Sequence, residues 1–229
     1  MITIIIPVYN EERIVDGQLR RLMAVTGDGT EVIAVDGGST DKTSDIIEAC
    51  GGVTLLKSPR KGRAVQMNYG ASFAKEDILL FLHADAMLPA VWKSEIGRAM
   101  ESGCVAGGFR IRCGGHETLG RLERFFAYIS EIRSRYAKYM YGDQAIFVKK
   151  SAFELVDGFP EIPIMEDYEF CRRISKIGEI YHSRTMVDVS YRRFAHGVLT
   201  ATFLMLTMPS MYRLGVPPGF LAGLYKDIR

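Results

Sequence analysis

The sequence has few of the residues that mark a disulfide scaffold or a zinc site. Its four cysteines, Cys50, Cys104, Cys113 and Cys171, are far apart and form no C-x-x-C pair. This spacing favours reduced thiols in a cytoplasmic protein over a disulfide framework or a zinc finger. Residues 1–8 also lack the basic segment and cleavage site of a secretion signal, so no export is expected.

Charge of one sign and long apolar runs are scarce as well. The chain has 29 Lys and Arg against 27 Asp and Glu, which leaves a net charge of +2 and argues against a dedicated nucleic-acid-binding protein. The longest apolar stretch, residues 198–208, is too short to cross a bilayer. With 48% hydrophobic and 24% charged residues in 229, the composition is that of a globular chain able to bury a core.

Apolar strands alternate with amphipathic helices over about the first hundred residues. Strands are predicted at 2–8, 31–35, 53–56 and 78–82, separated by helices that begin near residues 15, 42 and 62. This alternation predicts an α/β fold with a mostly parallel central sheet. Further strands are predicted at 105–111, 145–148 and 187–191, and helices at 118–139 and 167–177. Alternation is lost there, so mixed strand pairing is expected.

Two regions differ in composition. Residues 1–193 read as one compact domain, whereas residues 194–229 form an apolar, Met-rich extension interrupted by prolines. The apolar residues Phe203, Leu204, Leu206 and Met208 of this extension are flanked by the basic residues Arg192, Arg193, Arg213, Lys226 and Arg229. That combination predicts a helical extension making peripheral membrane contact or joining a homo-oligomer, with packing on the domain itself as the alternative.

Polar residues follow three predicted strands at the point where each strand ends. Tyr9 and Glu11 follow the first strand, Asp36 ends the second, and Asp85 follows the fourth. Because ligands bind outside the carboxyl ends of the strands in an open parallel sheet, these side chains predict a binding site at one sheet edge. Capping of the next helix explains Asp41 but does not explain Asp36.

The residues at this edge exclude two common nucleotide sites and favour another. A dinucleotide site or a P-loop needs glycines after the first strand, but the sequence has PVYNEE, whose glutamates would repel a phosphate. Asp36 can accept a hydrogen bond from an N–H of uracil or guanine, and Tyr9 can stack on the base. Asp85 suits Mg²⁺ or Mn²⁺ shared with a substrate diphosphate, and helix capping is its alternative role.

Seven motifs occur in an order that resembles a known family. They are PVYNEE, VDGGSTDKT, KGRAVQMNYGA, LHADAMLP, GDQAIF, VDGFPEIPIMEDYEFCRR and SYRRFAHG. Together they resemble an inverting family 2 glycosyltransferase, and most of all its small bacterial subgroup labelled radical-SAM/selenodomain-associated transferase 2. The resemblance covers residues 3–197. It implies the GT-A (nucleotide-diphospho-sugar transferase) fold, a three-layer α/β/α arrangement with a mostly parallel central sheet.

The resemblance also implies which residues hold the nucleotide and the metal. The nucleotide side maps onto Pro7, Tyr9, Glu11, Asp36, Gly62, Arg63 and Asn68. The family's DXD motif falls on His83, Ala84 and Asp85, so His83 is expected at the ribose and Asp85 at the metal. The family usually has Asp at the first position. A neutral imidazole can bond to a ribose hydroxyl but adds no negative charge, which lowers the expected metal affinity.

An inverting transfer needs a base on the acceptor hydroxyl, opposite the leaving group. The family's ED pair matches Glu166 and Asp167. The resemblance therefore implies Asp167 as the general base, with Glu166 supporting it or binding the acceptor. Two acids in the first turn of a helix, favoured by the helix dipole, are the alternative reading.

The remaining assignments concern charge on the leaving diphosphate and the acceptor side. Arg192 and Arg193 are predicted to contact the nucleotide diphosphate, because developing negative charge needs cations. Related GT-A enzymes suggest His196 as a further metal ligand. Arg172 and Arg173 are expected at the surface or beside the acidic pair, and Gly142, Asp143 and Gln144 at the acceptor floor.

The sequence thus predicts an enzyme that transfers a sugar, with inversion, from a UDP- or GDP-sugar to an unknown acceptor. Mg²⁺ or Mn²⁺ is the expected cofactor, and the expected location is the cytoplasm or the inner face of the membrane. A nucleotidyltransferase is one alternative, although the glycine-rich triphosphate loop is missing. A non-catalytic sugar-nucleotide-binding protein is the other, motivated by His83. The prediction requires Asp36, Asp85 and Asp167 to meet around one pocket.

Overall fold

The computed structural model describes residues 1–27, 29–114, 120–190 and 198–226. The first part contains β1 (Ile2–Val8), α1 (Val15–Thr26), β2 (Thr30–Asp36), α2 (Thr43–Glu48), β3 (Thr54–Lys57), α3 (Arg63–Phe73), β4 (Ile78–Phe81), β5 (Ala86–Met87) and α4 (Trp92–Glu101). The second part contains β6 (Ala106–Gly114), α5 (Arg121–Tyr136), β7 (Ile146–Lys149), α6 (Lys150–Leu155), α7 (Glu166–Ile174), β8 (Ile180–Ser190), α8 (Val198–Arg213) and α9 (Pro218–Lys226). A 3₁₀ turn, Gly142–Gln144, precedes β7.

The strands form one mixed sheet in the order β3-β2-β1-β4-β7-β6-β8-β5. Strands β3, β2, β1 and β4 pair in parallel, and β6 pairs in parallel with β8. Strand β7 runs antiparallel to β4 and β6, and β5 runs antiparallel to β8. The predicted α/β class and the predicted mixed pairing in the second half are both confirmed.

Both faces of the sheet are buried. Successive side chains of a strand point to opposite faces, so each strand contributes to two apolar clusters. Ile4 and Ile6 of β1 pack into the same cluster as Trp92 of α4, while Ile5 packs on the other face with residues of α3. Helix α3 lies close to the sheet at Gly70, where a Cβ would stand 2.6 Å from Cγ2 of Ile5. This close packing holds the N-terminus of α3 beside the carboxyl ends of the strands.

Several elements differ from their predicted bounds. Strand β8 begins at residue 180, well before the predicted residue 187. Its first residues pair with β6, but their hydrophobic pattern is too weak to predict a strand from the sequence. Helix α5 ends at Tyr136, since Ala137 has extended backbone angles. The short elements β5 and α6 were not predicted, because two and six residues carry little periodicity.

The C-terminal extension packs partly on the domain. Leu204 and Met208, predicted as part of an exposed apolar surface, are buried, and Leu221 of α9 is buried as well. Phe203 and Leu206 are exposed. The helix places the two pairs on opposite sides because its residues repeat every 3.6 positions. Across the described ranges, no helix is long and apolar enough to span a membrane.

Candidate active site

The carboxyl ends of three parallel strands meet at one edge of the sheet. Val8 of β1 lies beside Asp36 of β2, and Ile5 of β1 lies beside Phe81 of β4. The amide of Leu82 continues this register by donating to the Ile5 carbonyl at 3.0 Å. The predicted polar strand ends therefore share one edge, where α/β sheets bind ligands.

The loops after β1 and β2 are joined by hydrogen bonds in both directions. The Asn10 amide donates to Ser39 Oγ at 2.9 Å, and the Thr40 amide donates to Asn10 Oδ1 at 2.8 Å. The Glu11 amide donates to Thr43 Oγ1 at 2.7 Å. Asp41 Oδ1 accepts the Thr43 amide at 3.0 Å, in the first turn of α2, which agrees with the predicted capping role. These bonds make the two loops one structural unit, which we call the paired loops (residues 9–12 and 37–43).

A buried glutamine holds the strands beneath the paired loops. Gln66 of α3 donates through Nε2 to the carbonyls of Val8 and Val35, each at 2.8 Å. These carbonyls belong to neighbouring strands, so one amide group fixes the separation of the strand ends. Gly37 is required above it, because a Cβ there would lie 2.9 Å from the Gln66 side chain. Sequence reasoning missed Gln66, because both of its carbonyl partners are distant in sequence.

Tyr9 and Asp36, the residues predicted to contact the base, lie at this edge. The Tyr9 ring is partly exposed, and Nζ of Lys61 lies 3.7 Å from its centroid, a cation–π contact that the sequence did not indicate. The Asp36 carboxylate accepts the amides of Gly38 and Ser39 at 3.1–3.2 Å, and the Ser39 hydroxyl. Asp36 thus shapes its own loop, and its contact with a base remains a prediction.

The predicted acidic pair begins α7. Met165, just before it, has a left-handed backbone with φ 67°, which is uncommon for a residue other than glycine and turns the chain into the helix. Asp167 Oδ2 accepts the Gly142 amide at 2.6 Å, and Oδ1 accepts the Tyr168 amide at 2.7 Å. Glu166 and Asp167 are both buried, so the two carboxylates lie in a region of low dielectric constant.

A small cavity joins this pair to the sheet edge. Its polar lining consists of Arg63, His83, Gly142, Glu166 and Asp167, and its volume is about 10 Å³, room for roughly one water molecule. Gly142 is the closest meeting point, because a Cβ there would lie 2.6 Å from His83 Nε2 and 3.3 Å from Asp167 Oδ2. His83 and the acidic pair line this cavity, but Asp36 and Asp85 do not, so the cavity does not show the predicted meeting of Asp36, Asp85 and Asp167 around one pocket.

Burial raises the pKa of Asp167 to about 6. The adjacent Glu166 carboxylate raises it in the same direction, whereas the Arg63 guanidinium and the two backbone amides lower it. A carboxylate with a pKa just below neutral is mostly ionised at pH 7 and still basic enough to accept a proton. This is the protonation behaviour that a general base requires.

Arg63 and Glu166 form an ion pair inside the site. The Arg63 Nε donates to Glu166 Oε1, with the Glu166 side chain 2% exposed and the Arg63 side chain 30% exposed. Glu166 Oε2 is also buried and has no hydrogen-bond partner within the described ranges. The pair links the first residue of α3 to the first residue of α7. One acceptor oxygen in the site therefore remains available for a hydroxyl group.

Asn68, predicted on the nucleotide side, is used elsewhere. Its Nδ2 donates to the Phe159 carbonyl at 2.8 Å, and its Oδ1 accepts the Phe159 amide at 2.9 Å. Both ends of the amide are thus engaged by one backbone position. This arrangement anchors the loop before α7, and the predicted nucleotide contact of Asn68 is left without support.

We expect Asn68→Ala to lower the free energy of unfolding by about 1–3 kcal/mol, because it leaves two buried backbone groups without partners. Chemical denaturation would measure this loss. Affinity for a nucleoside diphosphate should change little, since the Phe159 backbone engages both ends of the Asn68 amide. Unchanged stability with a large loss of nucleotide affinity would instead restore the predicted role.

Of the two predicted metal ligands, Asp85 lies within the described residues. Its carboxylate is half-exposed and forms no hydrogen bond or ion pair with the described residues, so its oxygens are available. No cluster of three or more His, Cys, Asp or Glu side chains suited to a metal occurs in those residues. Arg192, Arg193 and His196 lie outside the described residues. A single carboxylate completed by substrate oxygens and water fits Mg²⁺ or Mn²⁺ chemistry.

Other predicted residues near the pair have structural partners. Arg172 and Arg173 bind Glu169, one turn further along α7, and so do not brace the acidic pair. Asp143 pairs with Arg133 at 3.3 Å, and Gln144 donates to the Phe109 carbonyl at 3.0 Å. Of the predicted acceptor floor, Gly142 alone among these three residues lines the cavity.

One curated protein is similar to part of this chain. The chain is 29% identical over 110 residues to undecaprenyl-phosphate 4-deoxy-4-formamido-L-arabinose transferase of Pseudomonas paraeruginosa, a match that covers 44% of this chain and 32% of the relative. The chain thus spans about a third of the length of this curated relative.

Solved structures show the same fold at low identity. A mannosyltransferase from Pyrobaculum calidifontis, in complex with GDP-Man and Mn²⁺, has a TM-score of 0.68 and 17% identity, over 99% of this chain and 68% of that chain. S. aureus TarS in complex with UDP-GlcNAc has a TM-score of 0.64 and 14% identity, over 99% of this chain and 71% of that chain. The implied GT-A fold is therefore confirmed.

The family itself is identified by sequence. The family described as "Glycosyl transferase family 2" matches residues 3–156, more than half of the chain. This range includes the paired loops, Gln66, His83 and Asp85. From its sequence match and its fold, the chain belongs to glycosyl transferase family 2.

Proposed function

We propose that this glycosyltransferase transfers a sugar from a UDP- or GDP-sugar to an acceptor hydroxyl with inversion, using Asp167 as the general base. One observation carries the proposal: Asp167, Glu166, Arg63 and His83 surround one cavity at the carboxyl end of β4, in the family fold that binds nucleotide sugars at this sheet edge. Structural neighbours were solved with UDP-GlcNAc and with GDP-Man, which supports these two donor classes.

Asp167 is suited to accept the acceptor proton. The Gly142 and Tyr168 amides fix its carboxylate, and its pKa of about 6 keeps it ionised at neutral pH. Glu166 has a free buried oxygen that can accept a second hydrogen bond from the acceptor. Together the two acids can orient a hydroxyl and remove its proton as the bond to the sugar forms.

The nucleotide is assigned to the part of the site formed by the strand ends and the N-terminus of α3. Tyr9 offers a ring beside the base, Asp36 shapes the loop that faces it, and Gly62 with Arg63 begins α3 next to the expected diphosphate. Asp85 would hold Mg²⁺ or Mn²⁺, which supplies positive charge to the leaving diphosphate when bound. Pro7, Glu11, Arg192 and Arg193 remain predicted nucleotide contacts, and His196 a predicted metal ligand. The family subgroup suggested by the motifs is part of the proposal.

A melting experiment tests the donor and the metal together. UDP or GDP at about a hundred times its Kd, with Mn²⁺, should stabilise the protein by about 3 kcal/mol, which raises Tm by about 5–10 °C. Asp85→Ala should abolish the Mn²⁺-dependent part of that shift. Asp16→Ala, which removes an exposed carboxylate of α1, is the matched control and should retain the full shift.

Four outcomes would contradict the proposal. Stabilisation by no nucleoside diphosphate would remove the donor site, and a full Mn²⁺ effect in Asp85→Ala would remove the metal ligand. Binding of a sugar nucleotide without transfer or hydrolysis would favour a non-catalytic binding protein. Release of pyrophosphate from a nucleoside triphosphate would favour a nucleotidyltransferase.

A further inference from the structure

Helix α5 exposes a stripe of large apolar side chains. The stripe consists of Phe125, Tyr128, Ile132 and Tyr136. All four are exposed, Tyr136 to 73% and Phe125 to 57%. At 3.6 residues per turn, these positions fall within about 80° of the helix circumference. Four large apolar side chains on one solvent-facing arc form an exposed hydrophobic patch, and such patches mark interaction surfaces.

Helix α8 adds a second stripe beside the first. Leu199, Phe203 and Leu206 are exposed and follow the spacing of one helix face, with Phe203 64% exposed. The two helices contact each other through their inner sides, where Ser130 Oγ donates to Met205 Sδ at 3.5 Å. We call the exposed sides of α5 and α8 together the α5–α8 face.

The charges on this face are of one sign. Arg121, Arg124 and Arg135 are exposed on α5, in the same arc as its aromatic residues or at its edge, and Arg213 is exposed at the end of α8. The carboxylates of α5 turn away: Glu123 accepts the Gly120 amide and Glu131 accepts the Cys113 amide. Helix α8 contains no acidic residue. A lipid-facing surface helix combines these features.

We propose that the α5–α8 face docks on an anionic lipid bilayer. The apolar side chains would enter the boundary between headgroups and acyl chains, with the tyrosines at the polar level that this residue favours. The arginines would contact lipid phosphates. A second copy of the chain fits less well, because a two-fold interface through this face would bring the arginines of one copy towards those of the other.

The proposal goes beyond sugar transfer and does not depend on it. It differs from the sequence prediction for the C-terminal extension in placing the contact on α5 as much as on α8. It also assigns Leu204 and Met208 to the protein interior.

Vesicle flotation of the full chain tests the proposal. We expect binding to vesicles containing about a third phosphatidylglycerol, and little binding to pure phosphatidylcholine. The triple variant Arg121→Gln, Arg124→Gln, Arg135→Gln should weaken binding to anionic vesicles by about two orders of magnitude. The pair Phe125→Ser, Phe203→Ser should weaken binding at high salt, where the apolar contacts dominate.

The matched control is the pair Phe73→Ser, Leu155→Ser, which alters exposed apolar residues of α3 and α6 on the other side of the sheet. It should bind as the unmodified chain does, and melting curves should show that every variant is folded. Equal affinity for neutral and anionic vesicles, or variants that bind unchanged, would overturn the proposal. So would a dimer in analytical ultracentrifugation that the Phe125 and Phe203 changes dissociate while vesicles are not bound.

Discussion

Asp167→Asn is expected to lower kcat/KM for sugar transfer by a factor of about 10² to 10⁴, because the amide cannot accept the proton of the acceptor hydroxyl. The substitution keeps the size of the side chain and one oxygen for the Gly142 or Tyr168 amide, so the protein should still fold. The measurement is release of nucleoside diphosphate from the donor that the melting screen identifies, with acceptor present.

Glu95→Gln is the matched control for this substitution. Glu95 is likewise a buried carboxylate in a helix, but it pairs with Arg98 and accepts the Ser183 hydroxyl away from the cavity. It should retain most of the activity. If Asp167→Asn transfers sugar as fast as the unmodified enzyme, Asp167 is not the base.

The same carboxylate should set a pH dependence of stability. Its pKa is about 6 in the folded chain, against 3.8 for an ordinary aspartate, so the folded state binds more protons between these values. Stability should therefore fall as pH rises from about 4 to 6 and level off above, by a contribution on the order of 3 kcal/mol. Asp167→Asn should remove this contribution, and kcat/KM of the unmodified enzyme should decline below about pH 6 as the base is protonated.

Arg63→Met is expected to lower the free energy of unfolding by about 2–4 kcal/mol at pH 7, because it leaves the buried Glu166 carboxylate without its cation. The lower end allows for the part of the Arg63 side chain that water reaches. The loss should be seen as a lower midpoint in urea denaturation. Losing Arg63 also removes a cation that lowers the Asp167 pKa, so the acid limb of the activity profile should move to higher pH.

Two further variants separate this effect from a general loss of charge. Arg20→Met breaks an ion pair with Asp16 on the surface of α1 and should cost less than about 1 kcal/mol. Adding Glu166→Leu to Arg63→Met should recover much of the stability, since the buried Glu166 carboxylate that lost its cation is then removed. If Arg63→Met and Arg20→Met lower the free energy of unfolding equally, burial of Glu166 does not strengthen its ion pair with Arg63.

Much of the fold could be predicted because each signal was local. The apolar residues of β1 and the polar residues that follow β1, β2 and β4 depend only on sequence order and on the rule for parallel sheets. That rule placed Tyr9, Asp36 and His83 at one edge. The family motifs placed Glu166 and Asp167, which the structure brings to the cavity with His83.

What could not be predicted depends on contacts distant in sequence. Gln66 binds two carbonyls about thirty and sixty residues away, and Asn68 binds Phe159, so neither partner could be inferred from spacing. The same limit applies to Arg63, whose partner Glu166 lies on another helix. The family resemblance assigned Asn68 to the nucleotide side, whereas its hydrogen bonds join it to the loop before α7.

The hydrogen bonds of the paired loops bear on any attempt to change the donor. Ser39 accepts a hydrogen bond from the Asn10 amide, and Asn10 accepts one from the Thr40 amide. Replacing only one of the two segments with that of a relative would therefore leave polar groups of the other segment without hydrogen-bond partners. Redesign of base preference would have to exchange residues 9–12 and 37–43 as a single cassette, with Gln66 retained beneath them.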